Sequence, residues 1–387
     1  MDCELDIPSR VIIGADTRLR VAQEVRNLEW SRVLIVSDPF HEETERIKEI
    51  AQLLSKADLK VSTYTGVTDE PDTEMVGRGF QQFQADKCDG TVALGGGSVI
   101  DTAKTISVLA RNEDVYENLM GIDNVARLGA GVIALPTTSG TGSEASKVVV
   151  ISDLQSRIKM TGRSRAYVPS VAILDYKLTM SMPKSLTAAV GIDALTHAME
   201  AYVSRQACDF TDLLALSAVK LIWSSIRQAW YNSTDENARQ NMLIGSFQAG
   251  IAFSNASVGL VHSMSEPIGA CFHVPHGLSN AMLLPAVTKF SVDGAPSRYA
   301  AIARCVDLAD DSTPDEECCR ILVNELHQLI RELEIPSPKS FGIDKNSYEV
   351  NIEKMANDAS VAGSTGNNPV IPTVDQIKDI YCCSYDS

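Results

Sequence analysis

The chain has 387 residues, 44% hydrophobic and 22% charged, values that exclude a collagen-like, low-complexity or largely disordered chain. Against 34 Lys and Arg stand 50 Asp and Glu, a formal net charge of −16 that argues against nucleic acid or anionic lipid as a partner. No apolar run reaches the ~18–20 residues of a membrane helix, MDCELDIPSR lacks the basic start and apolar stretch of a signal peptide, and the nine cysteines are scattered without a CxxC pair. A soluble cytoplasmic protein without disulfides is expected.

Up to about Met182, short β-rich runs alternate with amphipathic segments. Strands are predicted at Arg32–Ser37, Lys60–Tyr64, Gly90–Leu94, Gly131–Leu135, Lys147–Ser152 and Val171–Leu174, and helices at Glu42–Ala57, Thr73–Ala85 and Val99–Arg111. Runs such as VLIV and VIAL suit strands buried on both faces, and the alternation predicts a doubly wound α/β domain with a parallel sheet. From Pro183 onward helical periodicity takes over: Leu186–Val203, Phe210–Trp230, Ala238–Phe253, Ser297–Ala309, Pro314–Leu333 and Val374–Cys383. Turn-rich pieces, Tyr231–Glu236, Pro336–Lys345 and Gly363–Pro372, separate some of them. The expected organisation is an α/β domain over residues 1–182 and an all-helical domain over 183–387, with a ligand-binding cleft between them.

Two turns carry candidate binding chemistry. In TVALGGGSVIDTAK a buried strand runs into Gly95, Gly96 and Gly97, then Ser98 and a helix start. Backbone N–H groups and the helix dipole there suit a pyrophosphate, although a turn that merely needs glycine reads the same way. Asp101 is a first-turn helix residue or a ligand contact. LPTTSGTGSE crowds the hydroxyls of Thr137, Thr138, Ser139, Thr141 and Ser143 at another strand's carboxyl end, where doubly wound sheets bind ligands. Asp38, directly after RVLIVS, is placed to accept from a ribose diol and to repel a 2′-phosphate, or else simply opens a turn before Pro39.

Of six histidines, His262, His273 and His276 fall within LVHSMSEPIGACFHVPHG, and His197 follows Asp193 by four residues in GIDALTHAMEAY, a spacing that puts both on one helix face. One carboxylate oxygen with neutral imidazoles suits Fe²⁺ or Zn²⁺ and suits Ca²⁺ or Mg²⁺ poorly. Each of these residues alone is as readily structural; together they form a candidate metal set. His41 and His327 lie in charged segments and are expected to be exposed and structural.

With GGGSVIDTAK, LPTTSGTGSE, VAILDYKLTMSMP, GIDALTHAMEAYVS, FQAGIAFSNASVGLVHS and VPHGLSNAMLLP in this order, the chain resembles the iron-containing (group III) alcohol dehydrogenase family. The resemblance implies a Rossmann-like dinucleotide-binding domain followed by a helical metal-binding domain. It implies Asp193, His197, His262 and His276 as metal ligands, and Gly96, Gly97 and Ser98 as the pyrophosphate turn. Thr137, Thr138, Thr141 and Ser143 would lie near the nicotinamide and phosphates, Asp38 at the ribose, and Lys159 and Leu178 in the same pocket. Glu266 stands where many members carry a histidine, and His273 where Asn or Asp is frequent; either is a candidate substrate-binding or proton-relay residue, or the two simply pair.

The expected activity is hydride transfer between a small alcohol and NAD, with the alkoxide stabilised by Fe²⁺ or Zn²⁺, in a homo-oligomer. A glycerol-dehydrogenase-like polyol dehydrogenase, a hydroxyacid–oxoacid transhydrogenase and a non-enzymatic nucleotide or metal sensor are the alternatives.

Overall fold

A computed structural model of the chain describes residues 4–112, 116–154 and 158–386, so that Cys3 and Arg157 lie outside them. The chain divides into two compact units, Leu5–Met180 and the body of the second, Ser181–Ser387.

Among the described residues the first unit holds nine strands: β1 (Arg10–Ile13), β2 (Arg32–Ser37), β3 (Lys60–Tyr64), β4 (Gly90–Gly95), β5 (Gly121–Ile122), β6 (Val132–Pro136), β7 (Val148–Asp153), β8 (Ile158–Arg163) and β9 (Val171–Leu174). Its helices are α1 (Val21–Asn27), α2 (Pro39–Glu43), α3 (Arg46–Ser55), α4 (Thr73–Ala85), α5 (Gly97–Leu109) and α6 (Tyr116–Leu119). Six strands make one parallel sheet in the order β1-β9-β6-β4-β2-β3. Successive side chains of a strand point to opposite faces, and both faces here are buried. Leu34, Val36 and Ala93 pack with Val76, Ile100 and Ile106 on one face, while Val33, Ile35 and Val92 pack with Val21, Ile50 and Leu54 on the other. That two-sided burial, at roughly 1.5–3 kcal/mol per buried aliphatic side chain, is what the uninterrupted apolar runs encode.

The sheet order also shows where a ligand belongs. From β2 the chain moves outward to β3 and then returns to β4 on the other side of β2, so the connections diverge between β2 and β4. A crevice opens at the carboxyl ends of strands at such a switch point. Asp38 follows β2 and the glycine turn follows β4, in register at Ser37↔Leu94, and the hydroxyl-rich loop follows β6, in register at Gly95↔Pro136.

Three expectations need correction. KVVVIS does not join the parallel sheet: β7 pairs antiparallel with β8, which pairs with β5 in a separate three-stranded sheet. Only Val149 and Ile151 of its valine-rich run are fully buried, as suits a strand covered on one face. The helix expected over Glu42–Ala57 is two helices, broken where Glu45 adopts φ 63°, because the charged HEETER run offers no apolar stripe to hold it straight. His41, expected to be exposed, is 3% exposed: the Asp38 carboxylate caps α2 by accepting from the His41 N–H, and the ring lies 3.0 Å from the Thr137 hydroxyl.

The second unit is helical: α7 (Lys184–Val203), α8 (Asp209–Tyr231), α9 (Glu236–Ala256), α10 (Leu260–Phe272), α11 (His276–Ser291), α12 (Pro296–Cys305), α13 (Asp315–Glu332), α14 (Pro338–Phe341), α15 (Lys345–Val361) and α16 (Val374–Ser384). They share one apolar core that includes Ile192, Leu195, Ile222, Met264, Leu283, Leu326 and Met355. The helices α10 and α11 escape a periodicity reading because each contains a proline, Pro267 and Pro285, and glycines surround them. Among the described residues no single helix is long and apolar enough to cross a membrane.

Candidate metal centre and nucleotide loops

Asp193 and His197 lie one turn apart on α7, His262 in the first turn of α10 and His276 at the start of α11. The four are brought together: one ligand atom from each lies within 4.8 Å of every other. From Oδ1 of Asp193 the Nε2 atoms of His262, His276 and His197 stand at 3.7, 3.8 and 4.0 Å. Gly277 makes this possible, since a Cβ there would sit 2.9 Å from the Ala189 carbonyl oxygen and keep the start of α11 off α7. Phe253 stacks on the His197 ring at 4.2 Å, and His197 on His262 at 4.6 Å, so the rings are held by packing. Three of the four groups are buried, whereas the His276 side chain is 41% exposed and marks the open side.

The donor set fits a divalent first-row metal. Ligands at about 2.0–2.2 Å in a tetrahedral arrangement stand roughly 3.4 Å apart, within a small contraction of the distances here. The lone pairs converge on a demand for positive charge. The Asn280 amide meets part of it, its Nδ2 donating to Asp193 Oδ1 at 2.7 Å and lying 3.1 and 3.2 Å from Nε2 of His262 and His276, while its Oδ1 is left buried without a partner. Burial pushes the Asp193 carboxyl up, but the imidazoles outweigh it and hold it well below the usual carboxylate range. Burial also opposes a proton on His262; Glu200 and Asp193 outweigh it, so a proton and a metal ion compete for that ring. Glu266 and His273 are not among the four converging ligand groups. Both are exposed, His273 closes α10 at φ 54°, and they form no ion pair with each other.

In the α/β unit, Gly96 opens α5 with no side-chain cap, which leaves the first backbone N–H groups of the helix, at Gly97 and Ser98, for an anion. A Cβ on Gly97 would come within 2.8 Å of Thr141, and one on Gly96 within 3.3 Å of Thr138, so the glycine turn and the hydroxyl loop are packed together. Behind them lies a buried charged cluster. The Lys104 ammonium donates to Ser143 Oγ at 3.1 Å and to the carbonyls of Ser146 and Val148 at 3.0 and 3.1 Å. Asp101 accepts from the Ser143 hydroxyl and, at 3.0 Å, from the Val150 N–H. Asp101 is thus a clamp on the loop, and Ser143 is held by it. Burial lowers Lys104 to about 8, against the pull of Asp101 and Glu144, and raises Glu144 to about 7. His41 lies 3.0 Å from the Thr137 hydroxyl, with its proton affinity lowered by burial. The Lys159 ammonium pairs with Glu70 at 2.6 Å, and Leu178 is buried in the core with Leu94 and Leu135.

Sequence reasoning passed over Glu200, Asn280 and Lys104, and set His41 aside as structural. Helical spacing was a usable signal for two of them: Glu200 is seven residues after Asp193, and Asn280 four after His276.

Comparison with known proteins covers nearly the whole chain. The family described as "Iron-containing alcohol dehydrogenase" matches residues 8–176, and "Fe-containing alcohol dehydrogenase family, C-terminal" matches residues 187–385. Alcohol dehydrogenase 4 of Schizosaccharomyces pombe is 34% identical over 97% of this chain and 87% of its own length. The NAD-dependent methanol dehydrogenase of Bacillus methanolicus is 33% identical over 97% of each. Among solved structures, a 1,3-propanediol oxidoreductase superposes over 100% of both chains with a TM-score of 0.96 at 30% identity, and an alcohol dehydrogenase from Oenococcus oeni over 99% and 100% with 0.95 at 29%. The chain belongs to the iron-containing alcohol dehydrogenase family.

Proposed function

We propose that the protein is an iron- and NAD-dependent alcohol dehydrogenase and carbonyl reductase in which Asp193, His197, His262 and His276 hold the metal. When bound, the metal supplies Lewis-acid polarisation of the substrate oxygen, and the nicotinamide accepts or returns the hydride. One carboxylate and three neutral imidazoles leave a net positive centre when a divalent cation is bound. The open flank beside His276 admits a small alcohol or aldehyde, and the packed Phe253 and His197 rings exclude water on the closed side. The backbone N–H groups at Gly96, Gly97 and Ser98 bind the pyrophosphate. Thr137, Thr138 and Thr141 contact the nicotinamide half, with Ser143 as the anchor of that loop, and Asp38 accepts from the ribose and disfavours a 2′-phosphate. Lys159 turns to the cofactor readily, because an exposed ion pair such as that with Glu70 holds it weakly. Leu178 supports the pocket from the core below.

Cys88, Cys271, Cys305, Cys318, Cys319 and Cys382 are free thiols, which suits a cytoplasmic setting. Exposed Val11 and Ile13 on the edge strand β1 suit self-association into a homo-oligomer.

The convergence of four ligand atoms from three helices carries this reading. Its test is metal analysis of anaerobically prepared protein, wild type against His276→Ala, followed by reduction of NAD with a panel of primary alcohols. Loss of iron and turnover together is expected. Full activity in a metal-free His276→Ala protein would refute the ligand assignment.

A further inference from the structure

We propose that Glu200 is a positioning residue of the metal centre: by taking the Nδ1–H of His262 it holds that imidazole in the tautomer whose Nε2 lone pair faces the metal. The proposal rests on the ligand set above. Glu200 lies on α7, on the helix that carries Asp193 and His197, and its carboxylate is buried. Its Oε2 stands 2.6 Å from Nδ1 of His262, and its Oε1 accepts from the Val261 N–H, also at 2.6 Å. Both oxygens are therefore committed to the first turn of α10. That turn has no cap of its own, because Gly259 at the N-cap position has no side chain to offer. A Cβ on Gly259 would press to 3.1 Å from Oε1, so the glycine is what lets the carboxylate approach the backbone.

Glu200 consequently does two things with one group. It satisfies a free N–H at the amino end of a helix, where the dipole favours a negative charge. It also decides which nitrogen of His262 keeps a proton. A carboxylate can only accept, so Nδ1 must donate, and Nε2, which points at Asp193 and His276, is left as a donor of electrons. A carboxylate behind a metal-bound imidazole also raises its basicity, and removal of such a partner generally weakens metal binding 10–100-fold.

Glu200→Gln separates the two roles. The glutamine carbonyl still accepts from Val261 and keeps α10 capped. Its amide, however, donates to Nδ1, which forces the proton onto Nε2, the atom that must bind metal. The Zn²⁺ affinity of the full-length protein, measured by chelator competition, is expected to fall 10–100-fold, with the far-UV spectrum and NAD binding unchanged. The visible spectrum of the Co²⁺-loaded variant is expected to change in parallel. As a measurement independent of any variant, ¹⁵N-histidine NMR of the Zn²⁺-loaded wild type should show His262 protonated at Nδ1. A Zn²⁺ affinity within twofold of wild type in folded Glu200→Gln, or an Nε2–H tautomer in the wild type, overturns the proposal. Failure of the ligand assignment itself looks different, since wild type would then bind no Zn²⁺ at the site.

Discussion

Replacing Glu144 by Gln is expected to stabilise the protein at neutral and alkaline pH while leaving it nearly unchanged in mild acid. Glu144 ends the hydroxyl-rich loop, is 1% exposed, and its Oε1 has no hydrogen-bond partner. Burial raises its carboxyl from 4.5 to about 7, against the opposing pull of a backbone N–H and of Lys104. Between those values the folded protein keeps a proton that the unfolded chain has released, so stability falls as pH rises through this window. At 1.36 kcal/mol per pH unit the full cost above pH 7 is about 3 kcal/mol. Glutamine has the same shape and never ionises, so it recovers most of this at pH 8 and almost none at pH 4.5. Part of the gain is lost because Lys104 then lacks an attracting charge and its proton affinity falls further below its ordinary value. The assay is urea denaturation of the metal-free protein between pH 5 and pH 8. Trp223 and Trp230 are replaced by Phe in both forms, so that fluorescence of Trp30 reports the α/β unit. A difference between Glu144→Gln and its parent that is the same at pH 5 and pH 8, or that vanishes at pH 8, would refute the argument.

Gly97→Ala should loosen the nucleotide loops, because its Cβ would lie 2.8 Å from Thr141. At about 1–3 kcal/mol for overpacking, KM for NAD is expected to rise roughly 5- to 150-fold, with Zn²⁺ affinity unaffected. The two histidine substitutions should also differ in the metal-free state. His262→Ala leaves the buried Glu200 carboxylate without its partner and should cost about 3–5 kcal/mol in denaturation, whereas His276→Ala, at a half-open side chain, should cost under about 1 kcal/mol. Equal losses in the two metal-free variants would contradict the proposed role of Glu200.

What was legible beforehand is local. A stretch such as VLIV, buried on both faces, signals a parallel strand because side chains alternate along it, and DALTH places Asp193 and His197 on one side because a helix repeats every 3.6 residues. The separate sheet formed by β7 and β8 was not legible, since a valine-rich run reads alike whether one face or two are covered. Resemblance in ordered motifs supplied the gathering of His262 and His276 onto Asp193, which spacing alone left open.

The amino-acid order therefore determined the element types, the glycine turns and the residue chemistry available for an anion and a metal. Only the folded chain decided which distant groups meet. Glu200 holds His262 across 62 positions, and Asn280 reaches Asp193 across 87. Asp38 stands beside the glycine turn because β2 and β4 are neighbours in the sheet. Such pairings depend on sheet order and helix packing, which bury groups against partners that no local periodicity encodes.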